Sequence, residues 1–285
     1  MMKFILAARR KPQDTQERYF YEWGIIHVAL MVTTPSVMRS FKRYAQHYSV
    51  QGVVSDSLIY PLSPMAWDNM ADHWVEDLES LVLPFKSADY CERMQPHSFG
   101  DSNFALELTS THPIFEAPGF KSSGVKLIHF LKRRPAISQE EFVHRWRTEY
   151  APVVVKHLQR LGALRKYQHN PQLSLNPEIF KGTLFERGGV GHYGGIEEIW
   201  LNSVQDLVRL RSDAHAYPEI RSASAKFVAD EGTFSMVTTE RVIYDYSVPG
   251  KESPLPAVLQ SGTLEGLIDA QGYKSWNVSG SQSHS

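Results

Sequence analysis

Between Val125 and Leu131 an otherwise apolar, alternating stretch holds one ionisable side chain, His129. In a strand Leu127, His129 and Leu131 share one face, and Ile128 and Phe130 take the other. An unpaired buried polar group costs about 1–3 kcal/mol, so a neutral imidazole there needs a partner. That partner is either a ligand proton, which makes His129 a general acid or base, or a neighbouring core group. Glu198 shares a face with Ile196 and Trp200, as Asp72 does with Met70 and Trp74. An acid among apolar neighbours has a raised pKa or a partner, and either state suits proton transfer. A structural hydrogen bond is the plainer alternative for both. Tyr150, Tyr167 and Tyr193 bring phenols able to donate to a ligand carbonyl or enolate, or they simply pack, with Trp146 and Trp200 as aromatic walls.

No compact motif organises these residues. GxGxxG opening a helix, GxxxxGK[ST], HExxH, GxSxG and CxxC are all missing from the sequence. The twelve histidines are scattered and the single cysteine, Cys91, excludes a disulfide within the chain or a multi-thiolate metal site. A site must therefore be assembled from separate strands and helices, and the expectation is one with no cofactor and no metal.

The elements that position these groups follow from local signals. Lys132 to Pro135 ends the His129 strand, and Ser138 with Glu141 three residues on fits a capping box, so a helix starts near Gln139. At about 100° per residue Phe142, Trp146 and Val153 form one stripe, flanked by Tyr150 and His157. Pro152 removes a donor inside this helix, which predicts a bend just after Tyr150.

The run Phe142, Trp146, Tyr150, Pro152 resembles the EthD family of dimeric α/β-barrel (ferredoxin-like) proteins, whose helix carries F-x-x-x-W-x-x-x-H-x-P. Tyrosine stands here where the family most often has histidine. The front of the chain overlays the back. Trp23 falls on Trp146 and Tyr44 on Tyr167 at one spacing, and Trp74 on Trp200 at a spacing three residues wider. Each half then reads strand, helix, strand, strand, helix, strand, the βαββαβ ferredoxin-like unit. The expected fold is α+β, two such units fused into an intrachain dimeric α/β barrel, with repeats over 1–117 and 118–246 and an extension over 247–285 whose end is disordered. The long Gly- and Pro-rich connection from Tyr167 to Gly194 reads either as a lid or as a surface excursion.

The resemblance also implies roles. Plant polyketide cyclases of the same superfamily place a catalytic histidine on the His129 strand and a second near the position of His215. His27 takes the family's histidine position in the first half. The implied site joins His129, Tyr150, Glu198 and His215 in the second half, with Trp146, Tyr167, Tyr193 and Trp200 around the substrate and His27 and Asp72 as secondary candidates.

A net charge of −1 with mixed signs argues against a nucleic-acid or anionic membrane partner, and no apolar run approaches the ~18 residues of a membrane span. A cytoplasmic protein is expected, as a single tandem chain or a homodimer of it. The resemblance implies a cofactor-free lyase or isomerase, a dehydratase or cyclase acting on a hydrophobic polyketide-like or phenolic substrate. A non-catalytic ligand carrier is the alternative from a different class. A haem-binding barrel is another, since chlorite dismutases and dye-decolorising peroxidases share the superfamily.

Overall fold

The computed structural model describes residues 1–251 apart from Ser98, Arg187 and Gly191. Most of the extension expected over 247–285 lies outside the described residues. The first half runs β1 (Met2–Arg10), α1 (Gln16–Tyr21), α2 (Val28–Val32), α3 (Pro35–Ser40), β2 (Phe41–Ser49), β3 (Asn69–Val75), α4 (Leu78–Lys86), α5 (Ala88–Arg93), β4 (Gly100–Thr109) and β5 (His112–Glu116). The second half repeats the order with β6 (Val125–Arg133), α6 (Gln139–Arg145), α7 (Ala151–Arg160), β7 (Leu164–Pro171), β8 (Gly189–Val190), β9 (Gly195–Leu201), α8 (Val204–Ser212), α9 (Ala216–Ser224) and β10 (Val228–Asp245).

The strands form one sheet in the order β5-β7-β9-β6-β10-β2-β3-β1-β4-β8, antiparallel except where β8 joins β4. It closes on itself because β5 continues β4 and pairs with β7, and the bond from Leu173 N to Leu108 O (2.7 Å) stitches the seam. β10 does the same in reverse, pairing first with its own β6 and then with β2 of the other half. Lys3 stands opposite Trp74 and Thr109, and Lys126 opposite Trp200 and Thr238, so the two halves share one register. The fold is the expected fused dimeric α/β barrel. Closure removes the open sheet edges that a single unit would expose.

Alternation now has two named faces. Ile5, Met70, Ile128, Phe130 and Ile196 point into the barrel, and the next residues along each strand point out to the helices, which cover two separate cores. Each half also sends the connection between its middle strands across to the other. Leu58, Ile59 and Tyr60 join the second-half core, while Phe180 and Phe185 join the first-half core.

The helix carrying the family motif departs from regular α geometry. Trp146–Tyr150 is a π turn between α6 and α7, and Glu22–His27 is its counterpart between α1 and α2. A π turn adds a residue, so the buried stripe passes from Trp146 and Tyr150 to Val154 rather than to the expected Val153. Proline does not set this turn, because the first half makes it with Ala29 in the matching position.

Candidate functional site

The strand register decides which acid meets His129. His129 faces the helix layer, and its cross-strand neighbour on β9 is Glu197. Glu197 is fully buried and accepts from His129 Nδ1 (2.5 Å), Tyr150 OH (3.3 Å), Trp146 Nε1 (3.4 Å) and the Tyr167 hydroxyl. Burial alone would raise its pKa, but the hydrogen bond and charge of His129 and the bonds around it hold it below the ordinary value. His169 stacks on Trp146 with centroids 3.9 Å apart and places Nε2 2.6 Å from the Tyr167 hydroxyl. The His129 and Tyr60 rings stand nearly perpendicular with centroids 5.0 Å apart. These side chains fill the space between helix and sheet in the second half.

Glu198, expected beside His129, lies on the opposite face of the sheet. It points into the barrel, where Lys3 reaches it at 2.6 Å, Lys126 pairs with it, Asn170 donates at 2.8 Å and Gln168 also donates. Asp72 sits in the same lumen, bound by Lys3 (3.1 Å), Arg43 (2.8 Å) and His47 (3.1 Å). Trp200 gives Nε1 to Glu240 at 3.0 Å, and Tyr193 packs on Phe130 and Phe234 farther along the barrel. His215 is exposed ahead of α9, apart from both groups. The expected constellation is thus divided: His129, Trp146, Tyr150 and Tyr167 come together, while Glu198, Asp72, Tyr193 and Trp200 belong to the lumen.

The lumen brings ligand atoms of His47, Asp72 and Glu240 within 4.8 Å of one another, a spacing a metal ion would accept. Lys3, Arg43 and Lys126 already hold the carboxylates of Asp72, Glu198 and Glu240, so each of these three carboxylates has a cation beside it. A divalent ion would have to displace an ammonium or guanidinium group.

The first half treats the matching space differently. Leu6 stands where His129 does relative to the strand lysine, and Ala71 stands where Glu197 does relative to the strand tryptophan. With an apolar Leu6 and an alanine in place of the glutamate, this half leaves a cavity of about 90 Å³, walled by Phe4, Leu6, Trp23, Phe41, Ala71 and Phe99 among others. Three imidazoles line it: His27 from the π turn, His73 from β3 and His97 from the segment before β4. His27 Nδ1, His73 Nδ1 and His97 Nε2 are buried without a hydrogen-bond partner. Burial, and then the neighbouring His97 and His73, push His27 well below its usual pKa. Burial also lowers His97, and it pushes His73 down to about 4 against the pull of Asp72. All three are neutral near pH 7, each with nitrogen capacity unspent.

Sequence reasoning found His27 but missed His73, His97 and Glu197. Alternation held the signal for two of them: His73 and Glu197 each adjoin a chosen acid, Asp72 or Glu198, and so face the other way. His97 lies in irregular chain and has no such pattern.

An EthD domain model matches residues 134–234. No curated protein matches the sequence. Among solved structures, an anthrone oxidase-like protein is 12% identical, with 87% of this chain and 95% of that chain covered and a TM-score of 0.56, which shows a shared fold. A "putative monooxygenase" from Lactobacillus acidophilus NCFM is 9% identical over 85% and 94% of the two chains, with a TM-score of 0.43. Chlorite dismutase from Candidatus Nitrospira defluvii is 12% identical over 91% and 94%, with a TM-score of 0.40. The lyase or isomerase class expected from the sequence is withdrawn, because the name of the first of these, an anthrone oxidase-like protein, points to oxidation instead. No helix among the described residues is long and apolar enough to cross a membrane.

Proposed function

We propose that this dimeric α/β barrel, whose second half carries an EthD domain, oxidises a hydrophobic small molecule bearing ring hydroxyl or keto oxygens, held in the first-half cavity. The observation that carries this reading is the set of three unpartnered, neutral imidazoles in an apolar wall. Buried polar groups are ordinarily paired, so groups left open in a cavity suit a ligand that completes them. A neutral imidazole accepts the hydrogen bond of a ring hydroxyl and takes its proton as electrons pass from the ring to dioxygen, the oxidant of the proposed reaction, so a weakly basic histidine never has to stand beside a free oxyanion. For an anthrone one dioxygen balances the reaction: the ring carbon opposite the oxygen loses two hydrogens and gains one oxygen atom as a second carbonyl, and the other oxygen atom leaves with those hydrogens as water. His27 and His73 are the acceptors in this scheme, with His97 orienting a second oxygen. The Glu197 group is then a packing and positioning cluster, and the working site moves from the second half, where the sequence placed it, to the first.

Haem departs further from this cavity than the proposed ligands do: with roughly 90 Å³ enclosed even one aromatic ring requires side chains at the mouth to turn aside, and a tetrapyrrole is several times larger again. A carrier that binds the same class of molecule without turnover would use the same cavity, and oxygen uptake separates the two readings. With a panel of phenols, naphthols and anthrones, oxygen consumption above the uncatalysed rate is expected. His73→Leu and His27→Leu should each lower it by about 10² or more, the usual range for general acid–base help, while both variants stay folded. Tight binding of the panel with no oxygen uptake would leave the carrier reading standing.

A further inference from the structure

The first half does not enclose its cavity alone. The β7–β9 connection of the second half brings Phe180 and Phe185 to within 5.7 and 6.0 Å of the Phe4 ring. Phe185 also lies 4.8 Å from Phe85 and 5.5 Å from Phe104, ring centre to ring centre. Leu184, 40% exposed, lines the cavity beside it and so stands at its mouth.

Three features seat this connection. β8 pairs in parallel with β4, setting Gly189 opposite Ala105. Gly188 lies so close to β4 that a Cβ there would come within 2.4 Å of Leu106 Cδ1. At the foot, the Gln139 side-chain amide donates to the carbonyls of Gln172 (3.2 Å) and Gly194 (2.7 Å), tying the two ends together from α6. The Phe185 ring is thereby held at a set depth by residues of both halves. The space left beneath it, about 90 Å³, is below the roughly 150 Å³ of an engineered apolar cavity that binds benzene.

We infer that Phe185 is the size filter of the cavity, a specificity-determining residue supplied by the second half for a site in the first. This rests on the reading that the first-half cavity binds the ligand, and extends it from where the ligand sits to how large it can be. Rotation about the Phe185 side-chain bonds turns the ring aside while the connection stays seated on β4. Ligand size is then set by how far Phe185 yields.

The test is a calorimetric titration of the full chain with phenol, 2-naphthol and 2-anthrol, which present one hydroxyl on one, two and three rings. Phe185→Ala should raise the affinity for 2-naphthol relative to phenol by about tenfold or more, the scale on which an apolar pocket discriminates size. Phe185→Leu should shift the same ratio less and in the same direction, and it carries the test should the alanine variant fail to fold. Leu83→Ala, on the exposed face of α4, should leave the ratio unchanged. A folded Phe185 variant that binds with the wild-type ratio would overturn the filter and leave the cavity reading intact. Failure of every protein to bind any of the three would overturn both.

Discussion

His129 gives Nδ1 to a carboxylate that two phenols and an indole also hold, whereas His73 keeps Nδ1 open beside a cavity. Both lie on helix-facing strand positions, so their neighbours decide their use. With its pKa pushed down to about 4, His73 stays neutral from pH 5 to 8. Ligand affinity should therefore be flat across that range, with no inflection near 6.5, and an inflection there that vanishes in His73→Leu would contradict the buried neutral state. The stability sign follows from the same shift. A histidine whose folded value lies below its unfolded value near 6.5 binds protons more readily when unfolded, so stability is lost as pH falls from about 6.5 toward 4. Ala71 makes a second residue-scale case. Ala71→Leu should fill the cavity and abolish binding of the phenol panel while leaving stability unchanged or raised by up to about 2 kcal/mol, because the added methyl groups enter empty space, measurable by titration and by urea unfolding.

At the scale of elements, each π turn fixes where a tryptophan enters its core. Trp23 and Trp146 are fully buried at the start of the two turns. Trp146→Ala should cost about 3–5 kcal/mol of unfolding free energy, read as a lower urea midpoint at unchanged slope. A loss below 1 kcal/mol would mean that the helix does not depend on this anchor. Gly24 shows why the first turn sits so close to β2: a Cβ would lie 2.4 Å from the Tyr48 hydroxyl oxygen. The capping expectation is met from one side, since Ser138 Oγ accepts from Glu141 N at 3.0 Å while the Glu141 carboxylate turns to Arg145.

The whole molecule is joined through its lumen. Lys3 of the first half pairs with Glu198 of the second, and Arg43 of the first with Glu240 of the second. Burial would raise the Glu198 pKa, but Lys126 and Lys3 bring it down to about 2, and Lys3 and Arg43 hold Asp72 well below its usual value despite burial. Carboxylates depressed in the folded state contribute stability that is present above their unfolded values near 4 and is lost as pH falls toward 2. Unfolding midpoints should therefore hold between pH 5 and 7 in respect of these groups and drop steeply below about 4.5. Lys3→Met should remove about 3–5 kcal/mol by leaving buried charge uncompensated and should flatten that acid limb. An unchanged limb would show that the lumen pairs do not govern acid unfolding.

The duplication, the βαββαβ order and the tryptophan correspondence stood in the sequence, because hydrophobic period and residue spacing are local properties that a chain states directly. The closed barrel and the choice of His27 came instead from the resemblance to the EthD family. Which acid meets His129 did not, since Glu197 and Glu198 are adjacent and only the pairing of β6 with β9 turns one toward the helices and the other into the barrel. The Val153 expectation failed because a π turn inserts a residue that an even 100° advance does not contain. Nor did the sequence show where space remains. That depends on Ala71 and Leu6 standing where Glu197 and His129 fill the other half, and on Phe185 arriving from nearly 80 residues beyond the end of β4. Cavities are differences between packed volumes contributed by distant segments, and only the closed tertiary structure brings those volumes together.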